Sequence, residues 1–261
     1  MFSVAKVPES IPSEETMPRP GAGPGRPDFR RAWRARIVGV CLALAILVAL
    51  LWSDDWLRSQ RSLLPGRVWS GLALGISGSA NGGFLIPILV GGAIWFDRRG
   101  RRRFARTLAV MLLSGIVAGL AGTALRSVIG RTRPEVSVKQ GWFGPRLEGR
   151  WLIGKHAYGS FPSGHASMAA GLGVMAFALG RRWGVAGMTF AVAVAWSRFH
   201  LGAHRASDVW AGLMLGSMTS VVLWPFGSAW VRDGRRPGWW PEGVSFLVEP
   251  SPKPTETART R

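Results

Sequence analysis

The sequence predicts an all-α membrane protein, a bundle of six transmembrane helices, and three observations support that fold class. First, uncharged stretches of membrane-spanning length recur along the 261 residues; a helix needs about 20 apolar residues to cross the hydrocarbon core. Second, 33 Lys and Arg against 14 Asp and Glu give a formal net charge of +19, and the cations stand in short clusters between those stretches. Third, both ends are rich in Pro and charge, so 1–34 and 232–261 read as polar, disordered tails around one domain at 35–231. A charge of this size also suits a nucleic-acid binder. Here the cations do not interleave with aromatic residues along the chain, and no nucleic-acid partner is expected.

The six spans follow in order. The first is 37–53 (IVGVCLALAILVALLWS). The second lies within the uncharged block 68–96, in its later part GGFLIPILVGGAIWF, and the third, 107–125, is the clearest. Two shorter ones, 166–180 and 183–197, are separated by Arg181 and Arg182, and the last is 209–230. Small residues are frequent in the later spans, as expected where helices pack closely in lipid. Between the first two spans, DDWLRSQRSLL is amphipathic and is expected to lie along the membrane surface. A soluble all-helical protein does not call for so many uncharged runs.

Orientation follows from the basic residues. With six spans, most Lys and Arg fall on the side that holds both tails, anchored by RRGRRRFAR at 98–106. Both termini are therefore expected in the cytoplasm, in the plasma (inner) membrane of the cell. The first span lacks a small-x-small cleavage pattern after it and reads as an uncleaved anchor. The single cysteine, Cys41, sits inside an apolar run and reads as a packing or lipid-facing residue.

Once the anchors are set aside, the unusual polar residues cluster in RSVIGRTRP (126–134), SFPSGHAS (160–167) and SRFHLGAHRASD (197–208). The six-span layout brings all three to the non-cytoplasmic face. Arg126, Arg133 and Arg198 offer guanidinium forks that match phosphate oxygens, and Arg131 is a further possible phosphate contact. Pro162, Ser163, Gly164 and His165 stand where a helix begins, so backbone N–H groups and the Ser163 hydroxyl form an anion cradle that Gly164 lets a ligand approach. His204 and Asp208 share a helix face. Asp208 is expected to accept one imidazole N–H and leave the other nitrogen free to attack phosphorus. His165 can then protonate the leaving oxygen. No metal or other cofactor is called for, because the arginines neutralise the phosphate. His156 and His200 are expected to have head-group or structural roles, and Ser197 a packing role.

These clusters resemble the motifs of the type 2 phosphatidic acid phosphatase (PAP2) superfamily, which also contains the vanadium haloperoxidases. Its pattern reads K-x6-R-P, P-S-G-H and S-R-x5-H-x3-D. The second is met by Pro162, Ser163, Gly164 and His165, and the third by Ser197, Arg198, His204 and Asp208. The first is met at Arg133 and Pro134, with Arg126 where the family has lysine, which keeps the charge and alters the donor geometry. The resemblance implies phosphate binding by Arg126, Arg133, Ser163, Gly164 and Arg198. It implies His204 as nucleophile, Asp208 as its orienter and His165 as general acid.

The expected function is hydrolysis of a lipid phosphate or pyrophosphate through a phosphohistidine. Substrates of this compact kind of family member include phosphatidic acid, phosphatidylglycerol phosphate, undecaprenyl pyrophosphate and lipid A phosphates. The loop 135–159, with Trp142, Phe143 and Trp151 among basic residues, suits the head-group interface. A phosphotransferase using the same residues is one alternative, and a non-catalytic transporter or scaffold is another. A haloperoxidase is disfavoured because those relatives are soluble.

Overall fold

A computed structural model describes residues 29–60 and 66–233. Among them are seven α-helices: α1 (Phe29–Gln60), α2 (Arg67–Ser79), α3 (Gly82–Arg98), α4 (Arg102–Ile129), α5 (Gly164–Met175), α6 (Arg181–His200) and α7 (Ala206–Asp233). A two-residue hairpin, β1 (Arg146–Leu147) with β2 (Arg150–Trp151), lies in the loop after α4. The fold is the helical bundle that the apolar runs predict. Most of both tails lies outside the described residues.

The chain divides into two compact units, 1–42 and 43–261. The described part of the first is the N-terminal portion of α1, where Ile37, Val38, Val40 and Leu42 are exposed. The second holds everything that follows.

In that second unit α5 sits at the centre, packed by α4, α6 and α7, while α3 lies on α4 and α2 on α6. Small side chains make this closeness possible. Ala166, Ala169, Ala170, Ala191 and Val194 are all buried to within 1 %. A Cβ on Gly173 of α5 would stand 2.7 Å from the Gly187 carbonyl carbon of α6. Hydroxyls tie the same helices: Ser114 and Ser220 share a 2.8 Å hydrogen bond, and the Ser220 hydroxyl donates to the Gly171 carbonyl at 2.8 Å. Close backbones and inter-helix hydroxyl bonds are what hold helices together where lipid removes the hydrophobic drive. The outward faces are apolar, with Leu113, Leu120, Val192, Val221 and Val222 exposed. So much exposed apolar surface is stable only against lipid.

The count of six spans is not reproduced exactly. Among the described residues, three helical stretches are long and apolar enough to cross a membrane: Arg36–Gln60, Arg102–Ile129 and Ala206–Val231. The expected second span is α3, and with α2, which it meets at 54°, it forms a bent pair that raises the number to four at most by length and composition. The break falls where the Asn81 side chain caps α3 by accepting from the Gly83 N–H at 3.0 Å. The expected fourth span is the short apolar stretch Gly164–Leu179. Its length is about 24 Å at the α-helical rise, below the ~30 Å of a hydrocarbon core. The fifth, α6, has 20 residues but is edged by Arg181, Arg182 and Arg198.

The surface helix expected after the first span is also corrected. Residues Asp54 to Gln60 simply continue α1; 61–65 lie outside the described residues. The continuation is held by protein partners in place of lipid head groups. Arg58 donates to the Pro134 carbonyl at 2.8 Å, and Asp54, only 4 % exposed, points into the bundle.

Candidate active site

The three polar clusters meet at one end of the bundle, and the backbone itself joins them. Ser163 N–H donates to the Asp208 carbonyl at 2.9 Å, Ser160 N–H to the Arg131 carbonyl at 3.0 Å, and His204 N–H to the Arg198 carbonyl at 3.3 Å. Left-handed Gly130 (φ 62°) ends α4 and turns the chain back over the site. Its N–H bonds the Arg126 carbonyl at 3.1 Å.

Four elements supply the residues expected to bind phosphate. Arg126, on the last turn of α4, lies over the start of α5: a Cβ on Gly164 would stand 3.1 Å from its Nη2. This is the close approach that glycine permits. Arg133, in the loop, is 7 % exposed and donates through Nε to the His156 carbonyl at 3.0 Å. Arg198, at the end of α6, donates through Nη1 to the Ser77 hydroxyl of α2 at 2.8 Å. Ser163 precedes the first residue of α5. Its hydroxyl and the Arg198 Nε are both buried without a hydrogen-bond partner. Two donors held out of water in this way call for an acceptor that the protein does not supply.

His204 is 2 % exposed, in the turn before α7. Its Nδ1 lies 2.8 Å from the Ser160 carbonyl and 3.8 Å from Asp208 Oδ2. The shortest contact of the ring is therefore with a backbone carbonyl, and the Asp208 carboxylate expected to take the imidazole N–H stands behind it. A carbonyl only accepts, so Nδ1 carries the hydrogen and Nε2 keeps a free lone pair. Asp208 acts one step further out. Its Oδ2 accepts from the Ser160 hydroxyl at 2.6 Å and from the Arg205 N–H at 2.8 Å. The second of these is half of a capping box at the start of α7.

Arg131 differs from its expected role. It is 6 % exposed and fully engaged, donating to Asp208 at 2.5 Å, to the Ser207 hydroxyl at 2.7 Å and to Asp54 at 2.8 Å. Trp142 covers it, with the guanidinium carbon 4.3 Å from the ring centre. The Nη1 and Nη2 of Arg131 are thus turned to protein partners, as a structural cation's are. Asp54, Ser160, Ser207 and Arg205 are the residues that sequence reasoning missed. Arg205 donates to the Thr132 carbonyl at 2.7 Å and to Gln140 at 2.6 Å, fastening the loop to α7. Ser197 bonds the Val194 carbonyl at 2.7 Å within α6, and His200 stacks on Trp196, as packing residues do.

Electrostatics separates the two histidines from solution imidazole. His165 is faced by the charges of Arg198, His204, Arg126 and Arg133. Burial pushes His204 below the ordinary histidine range, opposed by Asp208 and assisted by Arg133 and Arg198.

Long apolar helices with an arginine-rich anion site at one end define a membrane protein that handles phosphoric esters. Residues 105–232, just under half of the chain, match the family model of the PAP2 superfamily, and the chain resembles the phosphatases of that superfamily. It is 28 % identical over 218 residues to a lipid A 1-phosphatase of Rhizobium johnstonii, covering 77 % of this chain and 82 % of the relative. It is 36 % identical over 115 residues to a lipid A 1-phosphatase of Rhizobium etli, covering 44 % and 47 %. In fold it is similar to the PAP2-type phosphatidylglycerolphosphate phosphatase of Bacillus subtilis. That likeness has a TM-score of 0.51 and 22 % identity over 73 % of this chain and 94 % of the other.

Proposed function

We propose that the chain hydrolyses the phosphate of a membrane lipid through a phosphohistidine on His204. The observation that carries this reading is the pairing of a buried, Nδ1-protonated His204 with two unpartnered donors, Ser163 Oγ and Arg198 Nε. In the first step the Nε2 lone pair forms an N–P bond while the bond from phosphorus to the lipid oxygen breaks. His165 gives its proton to that oxygen. The Ser160 carbonyl and Asp208 stabilise the positive ring. In the second step His165 takes a proton from water, the water oxygen attacks phosphorus, and the N–P electron pair returns to Nε2. Arg126, Arg133 and Arg198 neutralise the phosphoryl oxygens throughout, the positioning role that phosphoryl transfer demands.

His165 must acquire its proton from the bound state. A dianionic phosphate offsets the arginine charges that face the ring, so binding is expected to take up a proton at a pH where free phosphate is dianionic. Calorimetry of phosphate binding in two buffers of different ionisation enthalpy measures that uptake. Its persistence in His165→Gln would assign the proton elsewhere.

The lipid is best sought among those whose phosphate is borne by a polar, hydroxylated head group. Beside the phosphate site lies a cavity of about 240 Å³ lined by Arg126, Arg133, Lys155, His156, Tyr158 and Thr123. That is below the usual small-ligand range of about 300–1,000 Å³, so it suits one head group and leaves the acyl chains in lipid. The two curated relatives named for lipid A favour a sugar phosphate there. Purified protein is expected to release phosphate from lipid A faster than from phosphatidic acid, phosphatidylglycerol phosphate or undecaprenyl pyrophosphate, and vanadate is expected to inhibit. Equal inertness toward the whole panel would remove the reading, and phosphate found on an acceptor lipid would make the protein a phosphotransferase.

The proposed setting is the plasma (inner) membrane, with both termini cytoplasmic and the site on the opposite face. Basic residues support it: the cluster Arg98 to Arg106 lies at the α3–α4 junction, the far end of α4 from Arg126.

A further inference from the structure

A carboxylate buried at the end of an apolar helix is costly unless it is partnered, and such residues mark function more often than structure. Asp54 of α1 is one. It lies outside the segment 105–232 that matches the family model. Its Oδ1 accepts from the Ser207 N–H at 3.0 Å, and its Oδ2 accepts from Arg131 at 2.8 Å and from the Ser207 hydroxyl. Its neighbour Asp55 is exposed.

We propose that Asp54 is a positioning residue of the phosphate site, sharing Arg131 with Asp208 and thereby fixing the charge and place of the carboxylate behind His204. The connection is continuous. Arg131 offers one nitrogen to Asp54 and the other to Asp208, at 2.8 and 2.5 Å. Asp208 receives the Ser160 hydroxyl at 2.6 Å, and the Ser160 carbonyl receives the His204 ring at 2.8 Å. Ser207, next to Asp208 on α7, is gripped by Asp54 through both its N–H and its hydroxyl. The grip sets where the first turn of α7 stands.

The charge argument has a definite sign. Facing His204 are Asp208, Arg133, Arg198 and, through mutual repulsion, His165. Facing Asp54 are Arg131, Ser207 and the charge of Arg205. With Asp54 in place, Arg131 is balanced by two carboxylates and the pair with Asp208 keeps net negative character toward the ring. Without that charge, Arg131 is drawn wholly onto Asp208 and the field at His204 becomes more positive. A ring that must turn positive as it attacks phosphorus is then less stabilised.

The inference rests on His204 as nucleophile for its effect on rate, but its effect on the ring can be read without turnover. The full-length protein in detergent, labelled with ¹⁵N-histidine, is titrated as wild type, Asp54→Asn, Asp54→Glu and the exposed control Asp55→Asn. The His204 midpoint is expected to fall in Asp54→Asn alone. In release of phosphate from dioctanoyl phosphatidic acid, Asp54→Asn is expected to lose at least about tenfold in kcat with KM unchanged, the size of effect that outer partners of an active group exert. The acid limb of kcat/KM is expected to shift to lower pH. An unmoved His204 midpoint in folded Asp54→Asn overturns the proposal whatever the protein's activity. If Asp54→Asn does not fold, Asp54→Glu decides: it keeps the charge but displaces it by one methylene. It is expected to leave the midpoint near wild type while lowering kcat, and a wild-type kcat overturns the proposal. Wild-type protein that titrates as expected yet releases no phosphate would sink the hydrolase reading and leave the coupling of Asp54 to His204 standing.

Discussion

His204→Ala is expected to lower phosphate release by at least about 10⁴-fold, the scale at which nucleophiles contribute when their partners remain in place. The protein should stay folded, because the side chain gives up one hydrogen bond, to the Ser160 carbonyl at 2.8 Å. Its loss costs about 1 kcal/mol. Size-exclusion behaviour and thermal stability in detergent check the fold, and colorimetric phosphate release checks the rate. Denatured wild type quenched during turnover should hold phosphate that is stable to alkali and labile to acid, as phosphohistidine is, and the variant should hold none. A variant that keeps the wild-type rate would point to a transporter or scaffold.

Arg131→Met is expected to cost more stability than any substitution among the phosphate-binding arginines. Arg131 is the cation between two buried carboxylates, Asp54 and Asp208, at 2.8 and 2.5 Å. Removing one partner of a buried ion pair costs about 3–5 kcal/mol, because the remaining charge is stranded. Here two are stranded, and Trp142 also loses the cation it covers at 4.3 Å. Arg198→Met removes one bond, to Ser77 at 2.8 Å, and should lower activity far more than stability. Thermal unfolding of the two variants side by side measures the contrast. A melting temperature equal to wild type for Arg131→Met would mean that the buried network contributes nothing to holding α1, the loop and α7 together.

The site was legible in the sequence wherever chemistry is local. Pro162, Ser163, Gly164 and His165 mark a helix start by composition, and the structure begins α5 at Gly164. His204 and Asp208 are one helical turn apart, and they do stand within 3.8 Å. Arg126 could be assigned to the end of a span, and it lies on the last turn of α4. Arg131 misled because a guanidinium in a phosphate-binding string looks the same whether its partner is a ligand or a carboxylate. Nothing within the string shows that Asp54 and Asp208 already claim it. The signal that existed was Asp54 itself, an acid at the edge of an apolar run, read as the polar face of a surface helix.

The sequence by itself determined the helical class, the location of the apolar runs, the three polar clusters and the family they resemble. Those are properties of composition and short spacing, which residue types express directly. Tertiary structure alone decided that α2 and α3 meet at 54° and that the fourth apolar run is a short helix. It alone decided that a Ser160 carbonyl, invisible in residue identity, sets the tautomer of His204. It also brought Asp54 to Ser207 across 153 residues of chain. Such contacts depend on how helices of small residues close upon one another, and that closeness is fixed only when all of them pack at once.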